Sequence, residues 1–272
     1  MKNLSFVFIL LVICNSCEDV VELEVPTTEP KLVIDASIRY FPDSENAFVE
    51  DNISLTLTAP FFENGVQPAE GATVRLINLN TNEVIRYTEG SDGFYFPTTF
   101  FIPEFDTPYE LTVVYKDETY TATTTMQSSV PIDEIIKGDS TLFGGDEIEV
   151  IITITDDPEK ENYYLFDLDM NLYLPSEDRF FQGQTFPFSY FYETIDDNRE
   201  LDIRLLGIDK AYFNYMTLLL EQSGQNSGGP FQAPPATLRG NIVNTTNPDN
   251  IALGYFSISE TYDKKFTLPE DE

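Results

Sequence analysis

Apolar and polar residues alternate in short runs through most of this chain, and each run stops at Gly, Pro, Asn or Asp. In Ile53-Ser54-Leu55-Thr56-Leu57-Thr58 the apolar members fall on every second position. Side chains along a strand point to opposite faces in turn, whereas a helix repeats at about 3.6 residues, so this alternation specifies strands. Further strands are read at Leu32-Val33-Ile34, Ala72 to Ile77, Val84 to Thr88, Gly93 to Phe96, Tyr109 to Tyr115 and Thr119 to Thr123. Turn signals at Asn64-Gly65, Asp92-Gly93 and Lys116-Asp117 separate several of them. Seven short strands without a helical period predict an Ig-like β-sandwich over residues 31–127.

Within that domain, Gly71-Ala72-Thr73-Val74, Asp92-Gly93-Phe94-Tyr95 and Tyr109-Glu110-Leu111-Thr112-Val113 resemble the prealbumin-like sandwich modules of carboxypeptidase-regulatory type. Gln127-Ser128-Ser129-Val130-Pro131 reads as a linker, because Pro131 cannot donate to a ladder and biases Val130 toward extended backbone. Beyond it, Ile148 to Ile154, Tyr163 to Met170 and Arg199 to Leu205 are strand-like, predicting a second antiparallel β-rich domain over 128–272. One helix is expected there, at about 210–222, with Asp209 as its cap and Ile208, Tyr212, Tyr215 and Leu219 along one face.

The N-terminus carries a different signal. Lys2 precedes a ten-residue run from Leu4 to Ile13 whose only polar member is Ser5. A resident membrane helix needs about 20 apolar residues, so the run fits the core of a signal peptide instead. Ser16 gives a lipoprotein peptidase the small residue it requires before Cys17, whereas Ile13 before Cys14 does not. Residues 1–16 are therefore expected to be removed and Cys17 lipidated, with residues 17–30 as an acidic tether. Each buried acyl methylene contributes about 0.8 kcal/mol, so two or three chains anchor a protein stably. Glu18-Asp19 and the acidic residues after them read either as an address for display on the cell surface or as a solvated spacer.

Charge and composition exclude much chemistry. The chain has a formal charge of −32, which becomes −33 once Lys2 leaves with the leader. Such acidity repels phosphate backbones, so no nucleic-acid partner is expected. Aromatic residues make up 14% of the chain, enough to build cores despite the charge. The sequence has no histidine, and its 2 cysteines are Cys14 in the leader and the lipidated Cys17. Imidazole-based hydrolases and zinc or thiolate sites are thereby excluded.

Carboxylates remain as the abundant reactive groups. Asp167 and Asp169 alternate along one expected strand and make a two-carboxylate glycosidase the enzyme alternative, although the chain has no Trp for sugar stacking. Asp156, Asp157, Glu159 and Glu161, with Asp196 and Asp197, form the densest acidic clusters, readable as calcium ligands or as solvated turns. Phe180, Phe181, Phe186, Phe188, Tyr190, Phe191 and Tyr192 crowd a short stretch with Gly183 and Pro187. They read as core or as a surface for a partner or ligand. Gly224 to Gly229 lacks the Lys and following helix of a phosphate loop and reads as a connection.

Several segments together resemble a family of outer-membrane lipoproteins of undefined function. They are Cys17-Glu18-Asp19 with its Pro-rich tether, Pro30 to Asp35, Thr58-Ala59-Pro60-Phe61, Pro68 to Ala72 and Pro131 to Ile135. The late helix, Pro230-Phe231, Pro234, Gly240-Asn241-Ile242 and Gly254-Tyr255-Phe256 complete the set. The resemblance implies an outer-membrane, lipid-anchored accessory of a TonB-dependent receptor in nutrient uptake, with no catalytic motif to carry over. A surface adhesin or carbohydrate-binding lipoprotein is the alternative. Replacing Cys17 with Ala is expected to abolish acyl labelling and release the protein from the membrane fraction; unchanged labelling would place the anchor elsewhere.

Overall fold

The computed structural model describes residues 29–43, 47–59, 65–142, 144–145, 147–193, 195, 198–223 and 238–269. Cys17, the leader, Asp196, Asp197 and the Gly224 to Gly229 segment lie outside the described residues. Strands β1 (Leu32–Phe41), β2 (Phe48–Leu57), β3 (Gln67–Pro68), β4 (Thr73–Asn78), β5 (Val84–Glu89), β6 (Phe94–Pro97), β7 (Pro108–Tyr115) and β8 (Glu118–Gln127) form where alternation and turn residues predict them, apart from the short β3. Lys116 and Asp117 both take positive φ, 49° and 63°, between the paired Tyr115 and Glu118. This is the backbone of a two-residue hairpin whose twist matches that of its strands.

These strands do not make the expected Ig-like sandwich. The last strand, β16 (Leu253–Thr267), pairs in parallel with β1 from Val33↔Leu253 to Tyr40↔Glu260, and in parallel with β8 at Ile258↔Met126 and Ser259↔Gln127. The order β16-β1-β2-β6-β5-β4-β7-β8 thereby returns to β16, and eight strands close into a barrel-like sheet. Ile34, Ala36, Ile38, Ile53, Leu55, Tyr95, Leu111, Phe256 and Ile258 fill its interior. The chain reads as mainly β from sequence and is so. The closure depends on a strand that the alternation alone assigns to the second domain.

Beyond the barrel, β16 continues and pairs antiparallel with β14 (Glu200–Ile208), which pairs with β11 (Tyr163–Asp167), which pairs with the edge strand β12 (Tyr173–Glu177). A separate three-stranded sheet, β9 (Ile132–Lys137), β10 (Ile148–Thr155) and β13 (Thr185–Tyr192), supplies Val150, Ile152, Ile154 and Tyr192 to a second core. Tyr164 and Phe166 from β11, with Leu201, Ile203 and Leu205 from β14, complete that core. The short strand β15 (Val243–Asn244) pairs with the start of β8.

The expected helix is present as α1 (Lys210–Ser223), and Asp209 caps it by accepting the Tyr212 N–H at 2.7 Å. Tyr212 and Tyr215 pack on the expected face, but its centre falls on Met216 and Leu220, which are buried, while Leu219 is exposed. Met216 packs with Tyr163, Leu165, Leu206 and Ile208, so the helix covers the side of β11 and β14 opposite the second core.

Two segments singled out by family resemblance meet in this fold. The Asn241 side chain accepts the Phe256 N–H at 2.9 Å and donates to the Phe256 carbonyl at 2.8 Å, as a neighbouring strand would. Gly254 has φ of 97°, and a Cβ there would sit 2.0 Å from the Ile34 carbonyl oxygen. Only glycine tolerates both demands.

The barrel wall also buries one carboxylate. Asp51 accepts hydrogen bonds from the Tyr87 hydroxyl at 2.8 and 2.7 Å, and desolvation raises its pKa to about 6 despite that donor. The native state therefore binds a proton more readily than the unfolded chain between about pH 4 and pH 6. This group's contribution to stability is greatest below that window and falls as pH rises through it. Asp51→Asn keeps the Tyr87 hydrogen bond without the charge. In paired urea titrations the variant should gain on the native protein by on the order of 2–3 kcal/mol between pH 4 and pH 7; a constant difference would count against this burial cost.

Candidate functional site

Strands β12, β11, β14, β16, β1 and β2 are consecutive in one sheet, so their outward faces form a continuous surface. The two-residue period decides what that surface carries. Because Ile34, Ala36, Ile38, Phe256, Ile258, Ile53 and Leu55 point into the barrel, their neighbours point out. The registers then set three outward rows: Tyr255-Asp35-Ser54, Ser257-Ser37-Asn52 and Ser259-Arg39-Glu50. On β11 and β14 the same logic brings Leu165, Asp167, Asp202, Arg204 and Leu206 to this side. Helix α1 covers the apolar end of the face, and the charged end stays open.

Two arginines join the barrel to the second sheet across this face. Arg39 Nη1 meets Asp167 Oδ2 at 3.0 Å. Arg204 meets Glu50 at 2.8 Å and Asp202 at 2.7 Å, and its guanidinium lies 5.5 Å from the Phe41 ring centre. These side chains are only partly exposed, so solvent screens the pairs less than ordinary surface contacts. The carboxylates around Arg204 hold its guanidinium well above the usual arginine range, against the opposing effect of burial.

Clefts open on either side of these pairs. One of about 450 Å³ is lined by Asp167, Asp169, Tyr173, Asp202 and Arg204. The other, about 200 Å³, is lined by Asp35, Ser37, Arg39, Asn52, Ser54 and Phe94. Ion pairs Arg39–Asp167 and Arg204–Glu50 each link the two linings. Above Asp35 stand stacked tyrosines: Tyr212 and Tyr255 have ring centres 4.5 Å apart, and Tyr215 lies 5.0 Å from Tyr255. Burial first and the Asp35 charge second push the Tyr212 and Tyr215 hydroxyls up, Tyr215 to about 12.

Asp35 is exposed on the cleft side, yet the surrounding walls displace much of its water and raise its pKa, with Arg39 opposing the shift. Among the described residues its carboxylate accepts no hydrogen bond. Sequence reasoning passed over Asp35, Ser37, Arg39, Asn52 and Ser54, because polar residues alternating with a core read as solvent-facing.

The expected site residues are distributed elsewhere. Asp167 ends β11, and Asp169 lies not on that strand but in a turn where Asp169, Met170 and Asn171 take φ of 65°, 53° and 58°. Asp167 is paired with Arg39, and Asp169 lies 3.6 Å from Arg199. Asp156 is buried and both its oxygens are used, accepting from the Tyr164 hydroxyl at 2.5 Å and the Gly183 N–H at 2.8 Å. Asp157 accepts the Glu159 N–H and pairs with Lys160, while Glu159 and Glu161 are exposed. Among the described residues no group of three or more acidic side chains is arranged to hold a metal ion.

The aromatic segment divides between the two readings. Phe181 and Tyr192 are buried in the second core, with Phe188 and Tyr190 partly buried against it. Phe186 is stacked 5.1 Å from Phe181 and exposed at one edge, and Phe191 is half-buried on the other face of β13. Phe180 stands 75% exposed, with Arg179 over its ring. Alternation along β13 explains the division, since Phe186, Phe188, Tyr190 and Tyr192 share one face.

A polar hub not anticipated from sequence is Glu118, whose carboxylate accepts from Tyr120, Asn244, Asn247 and Asn250 at 2.7, 3.0, 3.0 and 2.6 Å. These donors lower its pKa to about 2, the Tyr120 hydroxyl most. They tie the 244–250 loop to β8, a structural role.

Residues 18–265 match the family described as Domain of unknown function (DUF4249), and the chain belongs to that family. No curated protein matches it.

Removing Arg204 tests whether the face is held by charge. Arg204→Leu leaves Glu50 and Asp202 without their cation and should cost about 1–3 kcal/mol in urea unfolding. A double-mutant cycle with Glu50→Gln should return a coupling of roughly 0.5–2 kcal/mol; strict additivity would show that the contact carries no energy.

Proposed function

We propose that this member of the DUF4249 family is a non-catalytic binding lipoprotein, held in the outer membrane through Cys17, that serves as accessory to a TonB-dependent receptor and takes its ligand in the cleft beside Asp35. The observation that carries the binding reading is the cleft pair at the junction of barrel and second sheet. Its walls come from strands, and its aromatic and polar groups converge from β1, β2, β6, β11, β12 and β14. Such preformed concavity with a few placed polar groups suits ligand recognition.

The chemistry of the same groups favours binding over catalysis. Asp167, Glu50 and Asp202 are each engaged by an arginine, which holds them in place rather than leaving them free to act on a substrate. Asp35 has no second carboxylate among the residues lining its cleft except Glu50, which Arg204 occupies. Anchor and receptor follow from the Ser16-Cys17 processing site and the family resemblance. The family match starts at residue 18, in keeping with a removable leader and a modified Cys17 before it. Exposed Phe180 and Phe186 at the rim of the second core are the surface we assign to the receptor.

Affinity purification of the lipidated protein from mild-detergent membranes tests the reading. A receptor recovered in stoichiometric amount, and lost with Phe180→Asp, is expected. Recovery of the protein alone, together with unchanged growth of a deletion strain on the nutrients tested, would overturn the accessory role.

A further inference from the structure

We infer that the Asp35 cleft binds a small cationic amine, with the Asp35 carboxylate as its counter-charge and the side-chain oxygens of Ser37, Asn52 and Ser54 around it. The inference rests on the binding reading above and names the ligand class.

The charges around the cleft decide the sign. Arg39 is committed to Asp167 at 3.0 Å, and Glu50 to Arg204 at 2.8 Å. Asp35 is then the lining charge without a contacting partner of opposite sign. Asp35 is exposed toward the cleft and accepts no hydrogen bond among the described residues, so its charge is open to a cation entering there. Desolvation by the cleft walls lifts this carboxyl above its ordinary range against the opposing charge of Arg39.

The other lining groups fit the same guest. An ammonium group is a donor with no acceptor, so it needs several oxygens around it. Asp35 provides two, and Ser37, Ser54 and Asn52 line the same cleft. A formal charge of −32 on the whole chain draws cations toward the surface before they dock.

Spermidine is the probe, titrated calorimetrically into the mature lipidated chain in non-ionic detergent at about 0.15 M salt, where contacts between exposed charges are largely screened. One saturable site is expected. Asp35→Asn, near-isosteric at an exposed position, keeps the fold and should weaken binding by about tenfold or more. Glu134→Gln removes an exposed carboxylate on β9 and should leave binding unchanged. Equal weakening in the two variants, or no saturable site, overturns the inference. Saturable binding of the neutral trisaccharide maltotriose, lost in Asp35→Asn, overturns the cation assignment while the cleft stands as a binding site.

Discussion

Backbone pairing along the single strand Leu253–Thr267 holds the rest of this structure in place. Its first half lies between β1 and β8 and closes the barrel, while its second half begins the sheet that carries β14, β11 and β12. A strand is stiff over such a length, so the two bodies it joins share one register and one twist. The separation of Arg39 from Asp167, and of Glu50 from Arg204, is therefore a property of the ladder before it is one of the ion pairs. The charges lock a geometry that the hydrogen bonds have already set.

That dependence explains which parts of the fold were legible. Local alternation fixes a strand's existence and its inward residues, and β1, β2, β4 to β8, β10, β11 and β14 were found that way. Hairpin turns such as Lys116-Asp117 announce themselves through their residues. The parallel pairing of residues near 33 with residues near 253 has no local signal, because the intervening chain is long and no short turn records it. The nearest clue was glycine: Gly254 marks a close approach, and here the approaching group is the Ile34 carbonyl. Helix α1 was legible in its span and cap but not in its rotation, since Leu218, Leu219 and Leu220 offer adjacent apolar choices and only packing against Leu165 and Leu206 selects among them.

The candidate site was illegible for a related reason. Ser37, Arg39, Asn52 and Ser54 alternate with core residues, and in an isolated strand they would face water. They line a cleft only because a second sheet and a helix, contributed by residues from 163 to 223, fold over the same face. Asp167 was noticed for its partner in sequence, Asp169, yet its partner in space is Arg39, 128 residues away. The aromatic segment was half legible: alternation sends one side of β13 inward, while Phe180, in the 3-10 turn just before, escapes the pattern.

Two carboxylates, buried Asp51 and exposed Asp35, show how accessibility separates structure from binding. Both gain protons more readily than a free aspartate because protein has replaced water around them. Asp51 points into the barrel wall and is met by the Tyr87 hydroxyl, so its cost is partly offset within the fold and no solute can reach it. Asp35 lies on the opposite face of the neighbouring strand, where no donor meets its carboxylate and it is exposed to the cleft. A single step in the two-residue period thus converts a buried structural acid into an accessible one. Had the register of β1 slipped by one residue, Asp35 would enter the barrel and Ile34 would line the cleft, and neither the core nor the site would survive.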